Sequence, residues 1–143
     1  VSNHARPGAE SRHNLTYWRY GDYAGIGPGA HGRLTRGAAK IATATERRPE
    51  TWLELVEQQG HGLVDQEDLG RDEQADELLL MGLRLTEGVD LARWQQLSGR
   101  DPNPAREGTL LEHGFIERLG NSRLRCTPKG MLMLDAVVAD LAC

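Results

Sequence analysis

Residues 114–128 read Gly114-Phe115-Ile116-Glu117-Arg118-Leu119-Gly120-Asn121-Ser122-Arg123-Leu124-Arg125-Cys126-Thr127-Pro128, and this stretch decides the fold class. Two short strand-like runs, Phe115–Leu119 and Arg123–Cys126, flank Gly120-Asn121-Ser122, which suits a three-residue hairpin loop. Thr127 then offers a hydroxyl as a helix cap, and Pro128 takes a first helical position. A last helix follows, with Met131, Leu134, Val138 and Leu141 as its apolar stripe.

Working upstream, apolar spacing predicts helices. Pro49 opens one whose face is Trp52, Leu53, Leu55 and Val56, and Gly60 and Gly62 end it. Asp72 caps a second, in which Ala75, Leu78, Leu79 and Leu85 share a face. Leu80, Met81 and Leu83 widen that face, which makes this helix central to the core. Asp90 caps a third helix carrying Leu91, Trp94 and Leu97, and Gly99 stops it. After the break at Pro102 and Pro104, a short fourth helix takes Leu110 and Leu111 to Gly114. Helix, helix, helix, hairpin, helix is winged-helix order. Further upstream, Ile41, Thr43 and Thr45 alternate with Ala42 and Ala44 behind a turn at Gly37, which predicts a hairpin over about residues 31–46. The fold class expected is α+β, mainly helical.

Composition bounds the function. The chain has 143 residues, 38% hydrophobic, enough for a packed core. Mean hydropathy is −0.55, and no apolar run approaches the roughly 18 residues of a transmembrane segment. Residues 1–20 contain no signal-peptide core. Two cysteines, Cys126 and Cys143, make neither a disulfide framework, an iron–sulfur site nor a cysteine zinc site, so the expected compartment is the cytoplasm. The chain begins at Val1 and its methionines are Met81, Met131 and Met133, so a fragment is expected.

Charge argues against nucleic acid. Residues 72–143 hold 8 Lys and Arg against 12 Asp and Glu, net −4. DNA affinity rests largely on cations that neutralise phosphates. The helix before the hairpin offers Arg106 against Glu107 and Glu112. A winged arrangement here is expected to serve packing or protein contact. Residues 1–48 differ, with 8 basic and 3 acidic side chains. Four of the seven aromatic residues, Tyr17, Trp18, Tyr20 and Tyr23, cluster in that part, as do seven of the 17 glycines, as in loops that approach ligands. Gly25, Gly27 and Gly29 alternate, which puts them on one face of an extended segment that a ligand or a backbone can approach.

Three blocks in that region carry a resemblance: Ser2-Asn3-His4-Ala5-Arg6-Pro7-Gly8, His13-Asn14-Leu15-Thr16-Tyr17-Trp18, and Gly25-Ile26-Gly27-Pro28-Gly29-Ala30-His31-Gly32. In this order they resemble the haem chaperone branch of the radical-SAM family, proteins also called oxygen-independent coproporphyrinogen III oxidase-like. The helical remainder, including residues 75–91, resembles that family's C-terminal domain, so the resemblance covers essentially the whole chain. It implies the last part of an open β/α (partial TIM) barrel in residues 1–48, a connecting helix and loop in 49–71, and a winged-helix-like domain in 72–143. The family's CxxxCxxC motif, which holds a [4Fe–4S] cluster, is not in this chain.

The resemblance places Gly27, Gly29, Ala30 and His31 beside S-adenosylmethionine; the competing reading is a barrel corner that only packs. It links the His13–Trp18 block to haem. His13 would ligate iron, Tyr17 and Trp18 would offer flat faces to a porphyrin, Arg12 would pair with a propionate, and Asn14 would orient the imidazole or cap the helix that follows. The competing reading is a buried, hydrogen-bonded histidine among packed aromatics. His4, His61, His113 and the two cysteines receive no functional role. The expected parent binds haem, S-adenosylmethionine and a [4Fe–4S] cluster and hands haem to acceptor proteins, and this chain contributes no catalytic residue. The alternatives are a coproporphyrinogen III oxidase, which the His13–Trp18 block disfavours, and a helical winged module for protein contact that needs no cofactor.

Overall fold

The computed structural model describes residues 5–37 and 39–142. The chain divides into two compact units, one formed by the segment ending at Tyr20 together with residues 71 onward, the other by Gly21–Gly70. His4 and Cys143 lie outside the described residues.

In the first unit, α1 (Arg12–Trp18) precedes α3 (Arg71–Gly82), β4 (Val89–Asp90), α4 (Leu91–Ser98), α5 (Pro104–Glu112), β5 (Ile116–Leu119), β6 (Arg123–Cys126), α6 (Pro128–Met131) and α7 (Leu134–Ala142). The strands form an antiparallel sheet in the order β4-β6-β5, with Ile116 opposite Cys126 and Val89 opposite Leu124. The core joins Ala75, Leu78, Leu79 and Leu83 to Trp94, Leu110, Ile116, Leu124, Val137 and Leu141. Each large apolar side chain buried this way contributes roughly 1.5–3 kcal/mol. The predicted helix order, the hairpin and the caps at Asp90, Thr127 and Gly99 are all present.

Four details differ. The α3 helix starts at Arg71, so Asp72 lies in its first turn, where a carboxylate favours the positive helix end, rather than at the cap. It stops at Gly82, so the buried Leu85 sits in the turn that follows. The α5 helix begins at Pro104, whose missing N–H costs nothing in a first turn; the Asn103 carboxamide caps it by accepting from Ala105 N (3.1 Å) and Arg106 N (3.3 Å). The last helix is broken into α6 and α7. Leu132 N and Met133 N bond back three residues, to Lys129 O and Gly130 O, which tightens the turn and re-aims the chain. The re-aimed helix buries Val137 rather than Val138.

In the second unit, β1 (His31–Arg36), β2 (Ala39–Thr45) and β3 (Leu63–Leu69) form an antiparallel sheet with β2 in the middle, and α2 (Pro49–Gln59) lies between β2 and β3 in sequence. The hairpin expected over residues 31–46 is β1 and β2, in register from His31–Ala44 to Arg36–Ala39, with Gly37 in a left-handed turn (φ 65°). The strand β3 occupies residues expected to be a loop. Its five central side chains are exposed, so no apolar alternation marks it; it is made by pairing with β2.

Candidate functional site

The His13–Trp18 block forms nearly all of α1. Ser11 caps this helix, its hydroxyl accepting from Asn14 N at 3.4 Å, so Asn14 is inside the first turn and is not the cap. No residue of α1 is buried, and His13 itself is exposed, which overturns the reading of a buried core histidine. The helix spacing separates the block into two faces. On one, His13 Nε2 and Tyr17 Oη share a hydrogen bond of 2.6 Å across one turn, with the rings edge to face at 4.5 Å between centroids. On the other, Asn14 and Trp18, together with Leu15, line an open cavity of about 890 Å³. Arg12, His13 and Tyr17 do not line it. The structure therefore brings Asn14 and Trp18 together and sets His13 and Tyr17 apart from them.

Sequence reasoning missed what anchors this helix. Arg19 makes a two-pronged hydrogen bond to Glu87, at 2.9 and 2.8 Å. Its guanidinium holds the Glu87 carboxyl below its ordinary range. Arg93, on α4, donates to Arg19 O at 2.7 Å and Tyr20 O at 3.0 Å. Tyr20 is buried with φ 55°, an unusual value for a residue with a side chain, and Arg93 lies over its ring. Chain ends that follow a helix in the left-handed region are common, but the arginine clamp spans 74 positions and has no local signal. The cavity's remaining walls include Arg84, Leu85, Cys126 and Met131. Burial pushes the Cys126 thiol up to about 11, so it is a protonated, unreactive thiol at neutral pH.

The glycine segment belongs to the second unit. Exposure alternates along Gly21–Pro28, as an extended chain requires, but Gly27 (φ 99°) and Gly29 (φ 68°) are left-handed, so the segment bends and the three glycines do not share one extended face. A Cβ on Gly25 would lie 2.5 Å from His31 O: this glycine admits the chain's own backbone. Gly27 faces open space instead. The bend is fastened by Thr45, a buried residue at the end of β2. Its hydroxyl donates to Gly27 O (2.6 Å) and accepts from Ala30 N (2.8 Å), and Gly29 N donates to Glu46 O (2.7 Å). The signal for Thr45 was the threonine alternation itself: Thr43 and Thr45 are polar yet occupy the buried side of β2. His31 is exposed at the start of β1.

The other histidines are peripheral. The left-handed Gly60 caps α2, and His61 after it is exposed. His113 ends α5 and its Nδ1 bonds Thr109 O at 2.8 Å. Among the described residues no cluster of three or more His, Cys, Asp or Glu side chains is arranged to hold a metal ion.

Comparison with known proteins places this arrangement in a class. Residues 69–133 match the HemN C-terminal domain family. The fold is similar to that of coproporphyrinogen III oxidase (HemN) from Escherichia coli, described as a radical SAM enzyme, with a TM-score of 0.59 and 16% identity over 85% of this chain and 28% of that one. Sequence identity is higher to two other proteins. The chain is 37% identical over 99% of its length to the heme chaperone HemW of Mycobacterium tuberculosis, and 40% identical over 99% to the mitochondrial radical S-adenosyl methionine domain-containing protein 1 of Mus musculus. It covers 34% of each, so it spans about a third of the length of these relatives. The chain resembles the C-terminal part of the haem chaperone branch, as its three blocks led us to expect.

Proposed function

We propose that this chain is the C-terminal part of a radical-SAM haem chaperone, which binds haem at α1 and delivers it to acceptor proteins. The observation that carries the reading is the placement of the His13–Trp18 block on a helix with no buried residue. His13 is exposed, so an incoming iron could take its Nε2 by displacing the Tyr17 hydroxyl, and Arg12 stands exposed beside it for a propionate. Trp18 and Asn14 present the other face of the same helix to the cavity. The oxidase reading draws support from a structural neighbour, but a likeness at 16% identity speaks for fold alone.

Within this reading, residues 1–48 supply the end of a barrel, 49–71 a connection, and 72–143 a winged-helix-like domain that serves protein contact. Three helices, the β5–β6 hairpin and a short strand pairing beside it support the last assignment. The open side of Gly27 fits an approaching ligand, so Gly27, Gly29, Ala30 and His31 would border S-adenosylmethionine, which supplies the family's radical chemistry when bound. Two cysteines do not fit a [4Fe–4S] cluster, and none is assigned to this chain. Among the described residues no helix is long and apolar enough to cross a membrane, and the compartment proposed is the cytoplasm.

Haem titration followed at the Soret band tests the reading. His13→Ala shifts the band or raises Kd about tenfold, a loss of roughly 1.4 kcal/mol, with far-UV dichroism unchanged. His61→Ala changes neither. An unchanged spectrum and affinity in His13→Ala would remove His13 from the site, and absence of any stoichiometric haem binding by the protein would overturn the function.

A further inference from the structure

His13 and Tyr17 stand four residues apart on α1, one helical turn, so their side chains meet along the same edge of the helix. His13 Nε2 and Tyr17 Oη lie 2.6 Å apart, at the short end of hydrogen-bond distances. The rings meet edge to face, at 86° and 4.5 Å between centroids. The resemblance gives Tyr17 a flat face to lay on a porphyrin. In this arrangement it turns its hydroxyl onto the nitrogen that iron would take.

The bond opposes ligation in either tautomer. With the ring proton on Nδ1, Nε2 accepts from the phenol, and the lone pair that iron needs is engaged. With the proton on Nε2, that nitrogen donates to the phenol oxygen and has no lone pair to offer. Space gives the same answer. Metal–imidazole bonds are about 2 Å long, so an iron on Nε2 along this direction would overlap the phenol oxygen. Ligation requires that Tyr17 swing off His13, which α1 permits, because none of its residues is buried.

We propose that the Tyr17 hydroxyl is a latch on His13: it closes over Nε2 in the free protein, haem binds the opened form alone, and the open fraction sets how tightly the cargo is held. The proposal rests on the haem-binding reading above, with His13 as the ligand. When a site is competent only while open, its affinity is reduced by the open fraction, and the reduction falls on association rather than dissociation. A hydrogen bond between exposed side chains is weak in net terms, so the closed form outnumbers the open one by a small factor, about fivefold. Such a latch suits a carrier, which must give up what it binds. As iron leaves, the hydroxyl takes Nε2 back and opposes rebinding. Tyr17 acts through His13 and needs no contact with the haem, which makes it a positioning residue.

Tyr17→Phe in the full chain keeps the ring and removes the hydroxyl. Stopped-flow binding of ferric haem should show association about fivefold faster, while dissociation, read by transfer to apomyoglobin, is unchanged. Carbethoxylation of His13 by diethyl pyrocarbonate, followed by mass spectrometry without haem, should accelerate by a similar factor, because one open fraction governs both reactions. Iron-free protoporphyrin, which asks nothing of Nε2, should bind the parent and Tyr17→Phe alike. In a His13→Ala background, Tyr17→Phe should no longer change haem association. Unchanged rates in Tyr17→Phe, weaker haem binding, or an effect that survives in His13→Ala would each overturn the latch and leave the proposed function standing. Faster carbethoxylation without faster haem association would overturn it as well, because iron would not be waiting on Nε2. A parent protein that binds no haem would overturn the function and the latch with it.

Discussion

At the residue scale, a buried hydroxyl does what the glycines beside it cannot. Gly27 and Gly29 permit the bend at the start of the hairpin, but permission is not stability, because glycine leaves the unfolded chain many other conformations. Thr45 selects this one by closing Gly27 O and Ala30 N onto a single oxygen that is itself buried. Thr45→Val preserves shape and removes that oxygen, leaving an amide and a carbonyl without this partner. The expected cost is about 1–3 kcal/mol in chemical denaturation, with faster amide exchange at Ala30. Thr51→Val, on the first turn of α2, serves as the comparison and is expected to cost far less. Equal effects would show that the loop is held by its backbone bonds alone. The glycine block was legible in the sequence as a place of close approach. What approaches at Gly25 was not, because the partner is the carbonyl of His31 from the same block, and periodicity cannot distinguish a ligand from the chain's own return.

At the element scale, the ends of helices were the most legible features and the exposed strand the least. Asp90, Thr127, Pro49, Gly60 and Gly99 act through short-range geometry, so their neighbours in sequence are their neighbours in space. The strand β3 and the break between α6 and α7 depend on partners far along the chain. Gly130 shows why the break exists. It lies so close under the Phe115 carbonyl that an added Cβ would overlap that oxygen, which brings α6 onto the start of the β5–β6 hairpin. Thr127 reinforces the contact by donating to Gly114 O at 2.7 Å and accepting from Gly130 N at 3.1 Å. Gly130→Ala must therefore displace α6, at about 1–3 kcal/mol. Gly108, inside α5, has nothing within reach of a Cβ, so Gly108→Ala is expected to stabilise by roughly 0.5–1 kcal/mol through helix propensity. The two substitutions have the same chemistry and opposite signs, and a melting-temperature series that moved both the same way would refute the packing argument.

At the scale of the whole chain, sequence order and structural membership part company. The haem-linked block is N-terminal and was read with the glycine segment, as the end of one barrel. In the contacts of the fold, the segment ending at Tyr20 groups with residues 71 onward, and the glycine segment groups with the β1–β3 sheet. No local pattern announces this, because the joints are long-range: Arg93 to the carbonyls of Arg19 and Tyr20, Arg19 to Glu87, and Tyr20 packed into the core formed by residues from Ala75 onward. The clamp makes Arg93 a positioning residue for α1, since it reaches the chain just past the helix, at the carbonyls of Arg19 and Tyr20. Arg93→Leu is expected to lower haem affinity several-fold and to lower the melting temperature, because α1 loses two charge-assisted bonds at its exit. The Soret position of the haem that still binds should stay that of the parent, because every proposed ligand remains. Arg36→Leu is the control. Arg36 forms an exposed ion pair with Asp68 at 3.5 Å in the β1–β3 sheet, and such pairs contribute little. It should change neither affinity nor spectrum. A shifted Soret band in Arg93→Leu would mean that Arg93 acts on the iron environment directly, and an unchanged affinity would mean that α1 keeps its place without the clamp.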